Sequence, residues 1–407
     1  MNSLPKIFMI GWEFPPNNAG GLGIACEGLT KALAKQHISQ IFTLPKVLPI
    51  QTDYLEFASL DDPFFTQLHV NMKLYPSYGG MTKDQWNYLA TKSALAGNSH
   101  NLIEQAYEYA NLVSILSQKY DHDLIHGHDW FTYPAAIAAK KATGNPMLVH
   151  VHATEFDRTL AGSEDPRICR IEYEGLSNAD KVIAVSEYTR QMVASKYQIP
   201  LSKIEVVHNG VDLQKQRSYY ISNEELDLFA RGHKIVVFVG RLTSQKGPDY
   251  FVKIAEKVSR AVPEALFVIA GSGDMYRQIV MQSGQSRLTG KLLFSGFLRD
   301  RQKEFLYRRA DLFIMPSISE PFGIVPLEAA AAFTPVIISN QSGVKEVLHS
   351  AICADFWDTD YIAKKAIEVL TDPLYSYYLR ENGAREVEQI TWDRAASKCI
   401  NVYQSLL

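Results

Sequence analysis

Short apolar runs alternate with amphipathic segments of helical length, and this alternation occurs twice along the 407-residue chain. Such runs are typical of parallel strands buried on both faces, and the helical segments between them supply the crossovers. The predicted strands of the first half are 6–10, 40–44, 123–126, 147–152 and 182–185. Those of the second half are 235–239, 266–270, 292–295, 312–315 and 336–338. The pattern predicts an α/β protein of two doubly wound, Rossmann-like domains facing a cleft, with ligands at the carboxyl ends of the strands.

The boundary between the halves is predicted in the polar segment 209–232, which breaks both periodicities. We expect an acceptor-side domain over 1–215, a nucleotide-sugar-binding domain over 216–390, and a final helix at 391–407 that packs back on the first domain. Two stretches depart from the alternation. Residues 45–80 are rich in proline and aromatic side chains, and we predict an irregular excursion there. For residues 83–119 we predict two helices that cap the first sheet.

Charge and cysteine content exclude several classes of protein. The chain has 41 basic and 44 acidic residues, so no overall positive field attracts nucleic acid or an anionic membrane. Its four cysteines form no Cys-x-x-Cys pair, which argues against a disulfide framework or a cysteine-based zinc site. No apolar run approaches the ~18 residues that cross a bilayer, and the N-terminus lacks a signal sequence. We therefore expect a cytoplasmic protein without a transmembrane segment, and we leave peripheral membrane contact open.

The first predicted strand leads into a glycine-containing loop that includes Gly20 and Gly21. Glycines let the backbone approach a ligand closely, and the N–H groups at a helix start can hold a phosphate. A tight turn without a ligand is the alternative.

A similar loop in the second half, residues 240–247, adds the cations Arg241 and Lys246. Both would lie at the carboxyl end of a strand, where an anionic group binds. The alternative is a solvated surface pair.

The segment 320–328 follows the fourth strand of the second half and opens a helix. The backbone of Phe322, Gly323 and Ile324 can offer N–H groups to a diphosphate, helped by the helix dipole. Glu320 and Glu328 could accept hydrogen bonds from hydroxyl groups on either side of the phosphates, although carboxylates at a helix start are also ordinary caps.

These elements, in this order, resemble the retaining glycosyltransferases of family 4, which have the GT-B fold. The resemblance covers nearly the whole chain and includes His-Asn-Gly-Val-Asp at 208–212 and Ala-Gly-Ser-Gly at 270–273. His-Gly-His-Asp-Trp at 126–130, and Phe14-Pro15-Pro16 followed by Gly20-Gly21-Leu22-Gly23, are also similar to the glycogen and starch synthases.

The resemblance implies a role for each matching position. Arg241 and Lys246 would bind the donor diphosphate, Glu320 the donor sugar and Glu328 the ribose. Main chain at Gly271 and Leu298 would pack against the base. His152 matches the family's active-site histidine, with core packing as its alternative. Asp129 and Trp130 match an acceptor-side motif, although a helix cap and a buried tryptophan explain them equally well.

The implied reaction is transfer of a hexose, glucose by the synthase-like motifs, from UDP- or ADP-glucose to a glucan or other saccharide. The alternatives are a lipid or cell-envelope acceptor, and a sugar-nucleotide epimerase of the same fold. In the family, the leaving phosphate helps to remove the acceptor proton, so no protein nucleophile is needed. We expect no cofactor and no metal. The Asp-x-Asp triplets at 121–123 and 358–360 do not indicate a metal site, because they lie at a strand start and a helix cap.

Overall fold

The computed structural model describes residues 4–16, 20–45, 52–58, 99–230, 232–286 and 288–407. The chain divides into two compact units. The first unit comprises Met1–Glu155, Glu164–His208 and Trp392–Leu407. The second comprises Phe156–Ser163 and Asn209–Thr391.

The described part of the first unit contains a parallel sheet with the strand order β3-β2-β1-β4-β5-β6-β7. Its strands are β1 Lys6–Ile10, β2 Ser39–Thr43, β3 Glu56–Phe57, β4 Leu124–His128, β5 Met147–Val151, β6 Lys181–Ala184 and β7 Ile204–Val206. Its helices are α1 Gly21–Lys35, α2 Ser99–Lys119, α3 Tyr133–Thr143, α4 Glu155–Arg158, α5 Pro166–Asn178 and α6 Glu187–Tyr197, and the last three residues of α4 are assigned to the second unit. Short 3-10 helices cover Trp130–Thr132 and Leu201–Lys203.

The second unit contains a parallel sheet with the order β10-β9-β8-β11-β12-β13 among its described residues. Its strands are β8 Lys234–Val239, β9 Ala265–Ala270, β10 Leu292–Gly296, β11 Leu312–Met315, β12 Val336–Ser339 and β13 Ile352–Ala354. Its helices are α7 Leu213–Arg217, α8 Asn223–Ala230, α9 Pro248–Ala261, α10 Tyr276–Gln285, α11 Asp300–Arg309, α12 Ile324–Ala331, α13 Thr359–Thr371 and α14 Pro373–Val387. Further 3-10 helices cover Ser244–Lys246 and Gly343–Glu346.

Each sheet reverses its strand order beside its first strand, which makes both units doubly wound, Rossmann-like domains as predicted. The central strands are buried along their length, as in β11, where all four residues are buried. A strand covered on both faces must be apolar throughout, which is why the continuous apolar runs located these strands.

Three strands were not predicted: β3, β7 and β13. Each is an edge strand of its sheet and has two or three residues. So short a strand, exposed on one side, produces no apolar run that distinguishes it from a loop.

The last helix, α15 Trp392–Gln404, belongs to the first unit and packs on α1. The contact is close, since a Cβ atom added to Gly28 would lie 2.2 Å from the Trp392 ring. A glycine on α1 therefore makes the space that the indole occupies.

Much of the predicted excursion at 45–80, and the first part of the predicted helical segment 83–119, lie outside the described residues. Within the described part, Glu56–Phe57 pairs with β2 as a strand, and Ser99–Lys119 is one helix. No helix among the described residues is both long enough and apolar enough to span a bilayer.

Candidate functional site

Two loops at the carboxyl ends of neighbouring strands pack backbone to backbone in the second unit. A Cβ atom added to Gly271 would lie 1.8 Å from the carbonyl oxygen of Gly240, and Gly271 has a φ of +149°. The Leu242 N–H donates a hydrogen bond to the Ser272 carbonyl over 2.9 Å, and the Leu242 carbonyl accepts one from the Met275 N–H over 2.9 Å. Glycine at 271 is thus required for the close approach of the loops that follow β8 and β9.

The loop after β8 packs in the same way against the end of β11. Gly247 has a φ of +65°, and an added Cβ atom would lie 2.1 Å from the Pro316 carbonyl oxygen. Ile318 donates to the Gln245 carbonyl over 2.8 Å. These contacts bring Lys246 to the segment that begins at Glu320.

Lys246 and Glu320 form a buried ion pair. The Lys246 ammonium donates to Glu320 Oε2 over 2.5 Å, and the two side chains are 16% and 8% exposed. The main chain of Glu320 is fixed as well, because its N–H donates to Gln341 over 2.8 Å and its carbonyl accepts from Gly343 over 2.9 Å. The structure thus brings these two predicted site residues into contact.

Arg241 differs from Lys246 in its surroundings. Its side chain is exposed, and no hydrogen bond or ion pair joins its guanidinium to another described residue. The structure thus holds Lys246 against a carboxylate and leaves Arg241 in contact with solvent on the same loop.

Helix α12 begins directly after Gly323. Gly323 is its N-cap residue, and no side chain of the described residues caps the helix. The Phe322 side chain is buried. The main-chain carbonyl of Phe322 accepts a hydrogen bond from the Val344 N–H over 2.7 Å, which anchors the turn. The first N–H groups of a helix have no intrahelical acceptor, so the N–H groups at Ile324 and Val325 can bind an anion.

Glu328, one turn into α12, is held by two side chains that the sequence analysis did not identify. Its Oε1 accepts from the Lys303 ammonium over 2.6 Å, and its Oε2 accepts from the Tyr307 hydroxyl over 3.1 Å. Lys303 and Tyr307 lie one turn apart on α11, where they look like ordinary helix residues. Burial and the neighbouring carboxylate raise the pKa of Tyr307 well above its ordinary value, so the phenol stays a hydrogen-bond donor.

The predicted base-binding positions lie at the ends of β9 and β10. Gly271 directly follows β9 and donates to the carbonyl of Gly296 over 2.8 Å. Leu298, partly buried, lies two residues beyond the end of β10. Both positions are therefore at the carboxyl edge of the second sheet, as is the loop that carries Lys246.

The remaining predicted site residues lie in the first unit. Gly20 is the N-cap residue of α1, and Gly21 is its first residue. An added Cβ atom at either position would meet nothing within 4 Å among the described residues, so neither glycine is required by packing.

His152 directly follows β5, and Asp129 directly follows the neighbouring strand β4. Asp129 Oδ1 accepts from the His152 N–H over 2.7 Å and from the Ala153 N–H over 3.2 Å. Asp129 therefore fixes the backbone at His152 instead of capping a helix with its side chain. Trp130 is buried against Phe131 and Trp12.

Four histidines lie together where β4 and β5 meet. His128 Nδ1 and His152 Nε2 are 3.1 Å apart, and His126 Nδ1 is 2.9 Å from the Tyr403 hydroxyl. The His126 and His128 rings stack at 4.3 Å, as do the His150 and His152 rings. Burial lowers the pKa of His126, His128 and His150 well below its ordinary value, so these imidazoles are neutral at pH 7.

Glu155 and Asp157, which follow His152, are buried, which is unexpected for acidic residues outside a strand. Glu155 Oε1 accepts from the Asp165 N–H over 3.1 Å. Asp157 Oδ1 accepts from the Ser319 hydroxyl over 2.6 Å, next to Glu320. Both carboxylates are therefore held by hydrogen bonds inside the protein and are not solvated.

The two Asp-x-Asp triplets have local roles. Asp123 Oδ2 accepts from the Lys6 N–H over 2.8 Å at the start of β1. Asp358 caps α13 by accepting from the Tyr361 N–H over 3.0 Å, and Asp360 pairs with Lys257 over 2.6 Å.

Comparison with known proteins identifies relatives over the whole chain. Residues 225–386 match the family described as glycosyl transferases group 1, and residues 19–215 match glycosyltransferase family 4. An uncharacterised glycosyltransferase of Methanocaldococcus jannaschii is 31% identical, over 98% of each chain. A glycogen synthase of Mycobacterium tuberculosis is 27% identical, over 98% of this chain and 94% of that protein. In structure, a sucrose-phosphate synthase of Thermosynechococcus elongatus superposes with a TM-score of 0.78 at 20% identity, over 99% of each chain.

Proposed function

Because the chain belongs to the family 4 glycosyltransferases with the GT-B fold, we propose that it is a retaining enzyme that uses a nucleotide-sugar donor. The transferred hexose in this proposal is glucose, supplied by UDP-glucose or ADP-glucose, and the acceptor is a glucan or another saccharide. The similarity to a glycogen synthase along nearly the whole chain supports this choice.

The observation that carries the proposal is the packing of three strand-end loops around Lys246 and Glu320. Gly247 lies against Pro316 and Gly271 against Gly240, so the ammonium, a carboxylate and the start of α12 lie at one edge of the sheet. A sugar diphosphate presents anionic oxygens beside hydroxyl groups. In our proposal, Lys246 and the N–H groups of α12 bind the phosphates, and Glu320 accepts from sugar hydroxyls.

Breaking the bond between sugar and phosphate leaves growing negative charge on the nucleotide. At an effective dielectric of 20, one cation about 4 Å away stabilises a unit negative charge by about 4 kcal/mol before desolvation. Lys246 supplies such a cation, and the exposed Arg241 side chain is available to supply a second. For this reason we propose that the transfer itself uses neither a metal ion nor a cofactor.

Glu328 suits the nucleotide ribose, because hydroxyl groups donate well to a buried carboxylate. Lys303 and Tyr307 already donate hydrogen bonds to this carboxylate, which orients it before the donor binds. In the first unit, Asp129 fixes the backbone of His152, the residue proposed to act next to the transferred sugar. The product then keeps the donor's anomeric configuration if the leaving phosphate removes the proton of the acceptor hydroxyl group on the same face of the sugar.

All four cysteines lie among the described residues, and each is a free thiol. Free thiols are the usual state in a reducing compartment, so we propose that the reaction takes place in the cytoplasm.

The first experiment measures donor hydrolysis by the purified protein across a panel of nucleotide sugars. We expect UDP-glucose or ADP-glucose to be hydrolysed, and faster transfer when an oligoglucan is added. Nuclear magnetic resonance of the product gives the anomeric configuration, which we expect to be that of the donor. An inverted product would contradict retention, an epimerised nucleotide sugar would assign a different reaction, and transfer only to a lipid would contradict the saccharide acceptor.

A further inference from the structure

The first unit contains a cluster of buried histidines that the proposed transfer does not use. His126 and His128 are two positions apart on β4, so their side chains lie on the same face of the sheet. His150 is the partner of His128 in the register between β4 and β5. The three side chains are at most 2% exposed. One ligand nitrogen of each lies within 4.8 Å of those of the other two.

Several ring nitrogens of the cluster have no hydrogen-bond partner within the described residues. These are Nε2 of His126, Nε2 of His128, and both nitrogens of His150. A buried polar atom without a partner costs about 1–3 kcal/mol, so packing alone does not account for four of them in one place.

The partners of the other nitrogens fit metal ligation. A ligating histidine normally uses its second ring nitrogen in a hydrogen bond that fixes its tautomer. His126 Nδ1 lies 2.9 Å from the Tyr403 hydroxyl, and His128 Nδ1 lies 3.1 Å from His152 Nε2. With the protons on these Nδ1 atoms, Nε2 of both histidines presents a lone pair.

We propose that His126, His128 and His150 form a buried binding site for one divalent transition-metal ion, and that zinc is the ion best suited to it. Three imidazoles without a carboxylate favour zinc and its neighbours over magnesium or calcium. Nitrogen ligands of a tetrahedral zinc ion are about 3.4 Å apart, at Zn–N distances of about 2.0–2.1 Å. The ligand nitrogens lie within 4.8 Å of one another, so their separations need to shorten by about 1.4 Å at most when the ion binds.

The proposed ion is held by residues of the first unit, whereas the residues proposed to bind the diphosphate belong to the second unit. Its structural effect is to join β4 to β5 and to hold the His128 Nδ1 proton towards His152. The cysteine spacing in the sequence argues only against a cysteine-based site and does not bear on this one.

The test is zinc binding to the whole chain, measured by equilibrium dialysis with elemental analysis after chelating resin has removed loosely bound metal. The unmodified protein and His349→Ala, which changes an exposed histidine of the second unit, should each retain one zinc ion per chain. His150→Gln should weaken binding by about 100-fold or more, since even second-shell losses cost 10–100-fold. Failure of the unmodified protein to bind zinc, or equal binding by His150→Gln, would overturn the proposal.

A second measurement needs no variant and therefore does not depend on how His150→Gln folds. Zinc-edge X-ray absorption of the loaded, unmodified protein should show nitrogen ligands with the multiple scattering of imidazole rings. A first shell that contains sulfur, or oxygen without imidazole, would place the ion elsewhere and contradict the site.

Discussion

The Lys246 ammonium lies 2.5 Å from a carboxylate oxygen of Glu320, and both side chains are largely buried. An isolated buried ion pair gains little net stability, because desolvation offsets much of the Coulomb attraction. This pair instead holds the ammonium at the edge of the sheet where the diphosphate is proposed to bind. When an anion arrives, Lys246 can move from Glu320 to the phosphate and leave the carboxylate available for sugar hydroxyls.

Replacing Lys246 by alanine is expected to lower the transfer rate by about 100- to 1,000-fold, the usual effect of losing one preorganised charge stabiliser. The measurement is steady-state transfer at saturating donor. Lys253→Ala, which removes a more exposed lysine from α9, is the matched control and should retain normal turnover. Near-normal turnover in Lys246→Ala would remove the proposed role of this residue.

Glu328→Gln should weaken donor binding more than it slows turnover, because the ribose is remote from the bond that breaks. Hydrogen bonds to a charged group contribute about 1.5–3 kcal/mol, so we expect a rise in the donor KM of about 10- to 150-fold. A donor whose ribose lacks both hydroxyl groups supplies the control. Its KM should be the same for the variant and the unmodified enzyme, and a rise equal to that for the ordinary donor would assign Glu328 a different role.

Gly271→Ala should destabilise the second unit by more than 1 kcal/mol, because the new methyl group meets the Gly240 carbonyl at 1.8 Å and the backbone has a φ of +149°. Urea unfolding followed by circular dichroism measures the change. In Gly284→Ala, on α10, the added Cβ atom meets nothing within 4 Å among the described residues. This control should be neutral or up to about 1 kcal/mol more stable. Equal stability of the two variants would show that the loops can separate at little cost.

A brief treatment with EDTA should leave transfer largely intact, since the proposed donor site uses Lys246, Arg241 and helix N–H groups in place of a metal. The assay compares initial rates before and after chelation, with added magnesium and manganese as the control. Complete loss of activity that either ion restores would contradict metal-free transfer. The zinc content of the same sample is measured as well, because the buried ion of the histidine cluster should remain bound during a short exposure. Retained zinc would show that any change in activity does not come from that cluster.

The sequence by itself determined the doubly wound architecture and most of the strands. Continuous apolar runs such as Leu312–Met315 are diagnostic because a strand buried on both faces tolerates few other residues. It also predicted a donor site at Lys246, Glu320 and Glu328, since a cation or a carboxylate beside glycines at a strand end follows a local pattern. The edge strands β3, β7 and β13 had no such pattern.

Only the tertiary structure decided which side chains meet. Lys303 and Tyr307 reach Glu328 from a different helix, and Tyr403 reaches His126 across 277 positions of sequence. The grouping of His126 and His128 with His150 likewise depends on the register between β4 and β5. Local propensity is encoded in neighbouring residues, whereas these contacts arise from how distant segments pack, so they appear only once the chain has folded.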